Sequence, residues 1–180
     1  METASDLEFF KLRIPDVIAI KVKKKVDSRG SLTRIWDSQG ELSNFKILQA
    51  SIVTNSNSGI LRGLHYQETP FSESKVIQCT EGKIFDVVVD LRRDSPSYGT
   101  HVSLEIGPSS VYQGVFVPTG FAHGYLTLDS KSTLVYFMDN VYSTNHKNGL
   151  IWHDRTLAIN WPMQPTLVSD QDSKWPGFKK

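Results

Sequence analysis

The chain has 180 residues, 39% hydrophobic and 22% charged, and a formal net charge of +1. That length suits one core rather than two, and the balance is that of an ordinary globular protein rather than one built to coat nucleic acid. A single cysteine, Cys79, excludes an intrachain disulfide and fits a reducing cytoplasm, the acidic start METASDLEFF lacks a basic-then-apolar signal, and no apolar run reaches membrane-spanning length.

In chain order, residues 6–12 suggest a short helical turn. Residues 17–26 read as a strand with Lys21, Lys23 and Lys25 on one exposed face. A second helical turn is expected within 38–44. Strands rich in β-branched and aromatic residues follow at 47–53, 75–80, 83–91, 101–106, 111–117, 124–128 and 133–138. Clusters of Gly, Pro, Ser, Asn and Asp separate them at 54–59, 94–98, 107–110 and 129–132. Cys79 falls in an apolar-rich run and reads as a small core residue. The tail, 170–180, is either docked or frayed. No repeat or linker divides the chain, so residues 1–180 form one expected domain. Short strands at this spacing predict an all-β sandwich or barrel with few helical turns.

Residues 83–90 alternate, which puts Ile84, Asp86, Val88 and Asp90 on one face and Phe85, Val87 and Val89 on the other. If the first face lines a barrel, Asp86 needs a partner there, because an unpaired buried carboxylate is costly. Residues 59–67 read GILRGLHYQ and place His65 and Gln67 on one strand face. Residues 118–123 read PTGFAH and end on His123. These two stretches resemble the paired histidine motifs of cupins, which are double-sheet jelly rolls. Gln67 stands where many cupins have a second metal-binding histidine. His65 and His123 alone make a poor ligand set, so no metal or other cofactor is expected, and acid–base use of His65 is the better reading.

Further stretches extend the likeness: DSRG at 27–30, Lys75, GKIFDVVVDLR at 82–92, DSPSYG at 94–99, PTGFAHG at 118–124, Tyr136, Tyr142, WHD at 152–154, INWP at 159–162 and SDQD at 169–172. Together, over residues 14–175, they resemble the dTDP-4-dehydrorhamnose 3,5-epimerases, cupin-type enzymes of deoxysugar pathways. The resemblance implies a cupin jelly-roll barrel that epimerises a nucleotide-linked 4-keto-6-deoxyhexose at carbon 3, carbon 5 or both. The ketone acidifies those carbons, and the enzyme needs a base, an acid on the opposite face and a cation at the enolate oxygen.

By resemblance His65 is the base, Asp172 holds its imidazole, Tyr136 supplies the returning proton and Lys75 stabilises the enolate. Asp86 would orient Lys75, and His123 would line the same pocket. Arg29 and Arg62 would clamp the diphosphate, for which the guanidinium fork is suited. Gln49, Gln67 and Tyr142 complete the expected substrate contacts. The resemblance also implies a homodimer that exchanges N-terminal strands, with 17–26 as the candidate segment. Neither a nucleic acid nor a membrane partner is expected.

Without the family pattern several of these residues read differently. Tyr136 in LVYFM would be a core tyrosine, and Lys75 after a serine-rich loop would be solvated. Arg34 stands where the family has an acid, and Val141 where it often has an aromatic. Both positions lie near the nucleotide in the family, so the base accepted stays open. A 3-only or 5-only epimerase, a ketoisomerase on another nucleotide sugar, and a sugar-nucleotide-binding cupin without turnover remain alternatives. The last is disfavoured because His65, Lys75, Tyr136 and Asp172 are all present.

Overall fold

Residues 84–90 show the alternation that organises the molecule. In the computed structural model, which describes residues 5–179, Ile84 and Val88 join one buried cluster while Val87 and Val89 join another on the opposite face. Residues 1–4 of the acidic start lie outside the described residues.

The strands in chain order are β1 (Leu7–Lys11), β2 (Ile18–Val22), β3 (Lys24–Asp27), β4 (Gly30–Thr33), β5 (Gln49–Asn55), β6 (Ile60–Gln67), β7 (Lys75–Glu81), β8 (Ile84–Asp90), β9 (His101–Ile106), β10 (Gly114–Val117), β11 (Phe121–Thr127), β12 (Ser132–Met138), β13 (Lys147–Gly149) and β14 (Leu167–Val168). One sheet has the order β1-β2-β10-β7-β12-β5, and the other β13-β6-β11-β8-β9. All pairings are antiparallel except β14 on β6. This is the expected all-β jelly roll of cupin type.

Three apolar layers hold it. Between the sheets, Ile77, Val115 and Leu134 of one meet Ile84, Val88 and Ile106 of the other. Behind the second sheet, Leu150, Leu157 and Phe178 cover Val87 and Val89. On the outer face of the first, Leu7 and Phe9 of β1 join Ile18, Ile20 and Val76, and Trp36, Leu42 and Phe45 cover them. Cys79 is buried between the sheets, and its burial pushes the thiol up to about 12. This agrees with a core role.

Some expectations change. Residues 6–12 form β1, not a helical turn: Leu7 is buried and Phe9 packs on the same cluster, a period of two, and the strand pairs with β2. The expected strand 17–26 is broken at Lys23, whose amide bonds the Asp6 carbonyl. Its first half joins the large sheet, and its second forms an exposed hairpin with β4. The turn expected within 38–44 is a single 3-10 turn, Gly40–Leu42, pinned by buried Leu42. The tail is docked, with the Phe178 amide on Asp154 and the Ile151 amide on the Pro176 carbonyl.

The DLR and DSPSYG stretches form a structural lock. Asp90, fully buried, accepts from Arg92 Nη2 at 2.7 Å and from the hydroxyls of Ser95 and Ser97 at 2.6 Å each. Arg92 also lies over the Phe121 ring. Burial alone would raise the Asp90 carboxyl, but the Arg92, Ser95 and Ser97 donors outweigh it and hold the group well below the usual carboxylate range. A lowered folded-state pKa contributes stability above the unfolded value of about 3.9 that is lost as pH falls. Asp90→Asn should therefore cost about 3 kcal/mol at neutral pH, and urea titrations should show that deficit shrinking below about pH 4. A deficit independent of pH would contradict this account.

Candidate active site

Two glycines allow the strands that carry the motif histidines to meet. Gly63 has φ +127°, and a Cβ on it would come within 2.5 Å of the Gly124 Cα. A Cβ on Gly124 would lie 2.8 Å from the Arg62 carbonyl oxygen. With both side chains absent, β6 and β11 pair with His65 opposite His123, and a register shift follows between His123 and Tyr125.

A cavity of about 570 Å³ opens between the two sheets. Arg62, His65, His123 and Tyr125 line it from β6 and β11, Lys75 and Tyr136 from β7 and β12, and Asp172 from the C-terminal segment. A second cavity of about 210 Å³ shares His65, Lys75, Tyr136 and Gln171 as walls and adds Tyr142, Lys147, Asn148 and Trp175.

His65 Nε2 lies 2.6 Å from Asp172 Oδ1. Asp172 is 4% exposed, so this carboxylate is fixed by protein groups. The Gly63 amide donates to its Oδ2 and the Trp175 indole to its Oδ1. Burial would raise the Asp172 carboxyl, yet the His65 bond and charge, with the Gly63 and Trp175 donors, hold it below the usual range. The Trp175 ring also stands edge-on to His65, 6.3 Å between centroids. One imidazole nitrogen is thus held by a carboxylate, while the other has no protein partner among the described residues.

A second pair lies deeper. His123 Nε2 meets Asp86 Oδ2 at 2.7 Å, both buried, and Asp86 Oδ1 has no protein partner among the described residues. The expectation that Asp86 orients Lys75 is therefore corrected: Asp86 serves His123, and Lys75 Nζ lies 2.8 Å from Glu73 Oε1. Tyr136 stands on the facing sheet, its ring 6.1 Å from that of His123, and its hydroxyl has no protein partner among the described residues. Burial pushes its phenol well above the ordinary value, and nearby Tyr125 and Asp86 add to this. The group holds its proton firmly.

Arg62 sits at the exposed side of the cavity with its Nε on Asn55 Oδ1. Gln67 faces the smaller cavity, but its amide is already occupied. Its Nε2 donates to Glu73 Oε2, Phe71 O and Val141 O, and its Oε1 accepts from the Ser143 amide. Gln49 lines neither cavity; its Oε1 holds the amide of Tyr142, which is 54% exposed. Arg29 is also outside both, at the exposed turn of the β3–β4 hairpin and paired with Asp27 at 2.7 Å. Arg34 lies near Asp6 and Asp37, away from both cavities. Sequence reasoning missed Glu73, Trp175 and the Asn55–Tyr125 support of Arg62. Only Glu73 carried a signal, as an acid two residues before Lys75.

The match to known proteins extends over almost the whole chain. The family model described as dTDP-4-dehydrorhamnose 3,5-epimerase matches residues 11–180. A dTDP-4-dehydrorhamnose 3,5-epimerase from Sinorhizobium fredii is 36% identical over 177 residues, 96% of this chain and 90% of that one. The crystal structure of a Bacillus anthracis enzyme of the same name, with TDP and PPi bound, superposes with TM-score 0.88 at 30% identity, covering 96% of this chain and 99% of that one. A 3'-monoepimerase from Streptomyces bikiniensis, in complex with dTDP-quinovose, gives TM-score 0.83 at 28% identity, covering 92% of this chain and 85% of that one. With the family model matched over residues 11–180, 36% identity across 96% of the chain and the same fold, the chain belongs to the dTDP-4-dehydrorhamnose 3,5-epimerase family.

Proposed function

We propose that this protein is an epimerase that inverts carbon 3, carbon 5 or both of a nucleotide-linked 4-keto-6-deoxyhexose in deoxysugar biosynthesis. The observation that carries the reading is the arrangement of three groups around one cavity. A carboxylate-held imidazole stands on one sheet, and a proton-retaining phenol and an ammonium on the facing sheet.

In this reading the free nitrogen of His65 removes the proton next to the ketone, and Asp172 stabilises the imidazolium that forms. Lys75 meets the negative charge that moves onto the ketone oxygen. Tyr136 returns a proton from the opposite sheet, so the carbon is inverted. Exchange with solvent then resets both groups, and solvent hydrogen enters each inverted carbon. Arg62 receives the diphosphate, His123 lines the sugar end, and the exposed Tyr142 ring offers a stacking face to the base. Gln49 and Gln67 act behind this surface, fixing Tyr142 and Ser143 by their backbone amides.

A single-position epimerase is the second reading, favoured by the likeness to the 3'-monoepimerase of Streptomyces bikiniensis. Residues 1–180 are taken as one domain, and the buried, unpaired Cys79 suits a reducing cytoplasm. A homodimer by exchange of N-terminal strands is part of the proposal. It is supported by the β3–β4 hairpin, where Val26 and Leu32 are 74% and 66% exposed. Such a partner would also give Arg29 a cavity to serve.

Incubation with dTDP-4-keto-6-deoxyglucose in deuterated water, followed by NMR, tests the function. Deuterium should enter at carbon 3, carbon 5 or both, and absence of exchange at both carbons would reject it. His65→Asn should lower exchange about a hundredfold to ten-thousandfold while dTDP binding survives. Near-normal exchange in the folded variant would remove His65 from the base role. Tyr136→Phe keeps the ring and deletes one hydroxyl. Inverted product should then fall more than exchange does, because protons removed by His65 return to the original face. Sedimentation should give a dimer, and replacing both Val26 and Leu32 by Asp should shift it towards monomer; an unchanged dimer would place the interface elsewhere.

A further inference from the structure

We propose that Glu73 is a positioning residue for the reaction: its carboxylate fixes the Lys75 ammonium at the wall of the catalytic cavity, where it meets the enolate oxygen. The inference rests on the reading of Lys75 given above. It concerns a residue outside the histidine motifs, in the loop between β6 and β7.

Lys75 has a side chain only 12% exposed, and that of Glu73 is 5% exposed. An ammonium in such a place needs an anion, and Asp86 is already engaged by His123. Glu73 is the only carboxylate paired with Lys75 among the described residues. Of the three ammonium hydrogens this pair uses one, which leaves donors for the cavity.

Glu73 is itself held from behind. Its Oε2 accepts from Gln67 Nε2 at 2.6 Å. The loop is tied down by the Ser74 amide on Asp139, by Asn140 Nδ2 on the Pro70 and Ser72 carbonyls, and by the Phe71 ring stacked near His146. Gln67, which lies two residues from His65 on β6, thus connects the base strand to the cation through Glu73. Both neighbours of the Glu73 carboxylate are donors, one to each oxygen. An amide at this position has one acceptor oxygen and a donor nitrogen, so it can satisfy Gln67 or Lys75 but not both.

The test compares Glu73→Gln, Glu73→Asp, Lys75→Met and the double variant Glu73→Gln/Lys75→Met, reading kcat, KM and melting temperature with dTDP-4-keto-6-deoxyglucose. Glu73→Gln should lower kcat about tenfold or more with KM within about threefold, since Glu73 acts through Lys75 and not on substrate. Glu73→Asp, shorter but charged, should turn over faster than the isosteric Glu73→Gln; a purely steric role gives the reverse order. The double variant should be no slower than Lys75→Met alone. A normal kcat in Glu73→Gln beside a slow Lys75→Met overturns the role of Glu73 and leaves that of Lys75 standing. An added loss in the double variant overturns it as well, as an independent structural effect. A normal kcat in Lys75→Met overturns both readings. If Glu73→Gln does not fold, Glu73→Asp against Glu73→Asn supplies the same comparison of charge at constant size.

Discussion

Charged side chains can stand between two apolar sheets only when each has a partner, and that constraint shapes this molecule from the core outward. The interior face of the barrel carries Ile77, Val88, Val115 and Leu134, yet at one end it also carries two histidines, a lysine and an aspartate. Each is paired: His65 with Asp172, His123 with Asp86, Lys75 with Glu73. The partners come from different directions, namely the C-terminal segment, the neighbouring strand β8 and the loop before β7. The segments that hold them are fixed in turn. The tail docks through the Phe178 amide on Asp154 and the Trp175 indole on Asp172, which holds that carboxylate beside His65.

The pairing also divides the chemistry between the sheets. His65 and His123 share β6 and β11, which approach closely because neither Gly63 nor Gly124 has a side chain. Tyr136 and Lys75 stand on β12 and β7 of the facing sheet. In the proposed reaction a sugar ring held between the sheets would present one face to the imidazole and the other to the phenol, which is what inversion at a carbon requires. Fold and stereochemistry are thus linked by register. A one-residue slip of β12 would turn Tyr136 outward, to the face of Phe137.

Much of this was legible in the sequence where period and motif coincide. The alternation in 84–90 put Asp86 on one face with Ile84 and Val88, which the structure turns to the interior, and the two histidine stretches placed His65 and His123 in one barrel. The strand at 101–106 has the same limits in sequence and structure. The sequence was less informative where partners come from afar. Nothing local distinguishes Asp172 from Asp170, and only the fold shows which carboxylate reaches His65. Asp86 was matched to Lys75 because both lie on barrel strands, but register puts β11, with His123, beside β8. Residues 6–12 have too few positions to separate a turn from a strand; pairing with β2 decides in favour of the strand. The hairpin that carries Arg29 reads as a continuous run with β2, and its break at Lys23 comes from a backbone bond to Asp6 that no pattern announces.

Gln67 shows how one motif position changes the use of a shared scaffold. A histidine there would bring a second imidazole to His65 and begin a ligand set for a metal. The amide instead has both ends engaged, Oε1 by Ser143 and Nε2 by Glu73, Phe71 and Val141. An amide offers donors and an acceptor at one site, and here it joins the loop before β7 to the segment after β12. The imidazole that remains on the strand is matched with a carboxylate, Asp172, which occupies one of its two ring nitrogens. In the proposed mechanism the positive charge at the enolate oxygen falls to an ammonium, Lys75, whose anion Glu73 is held by that same amide.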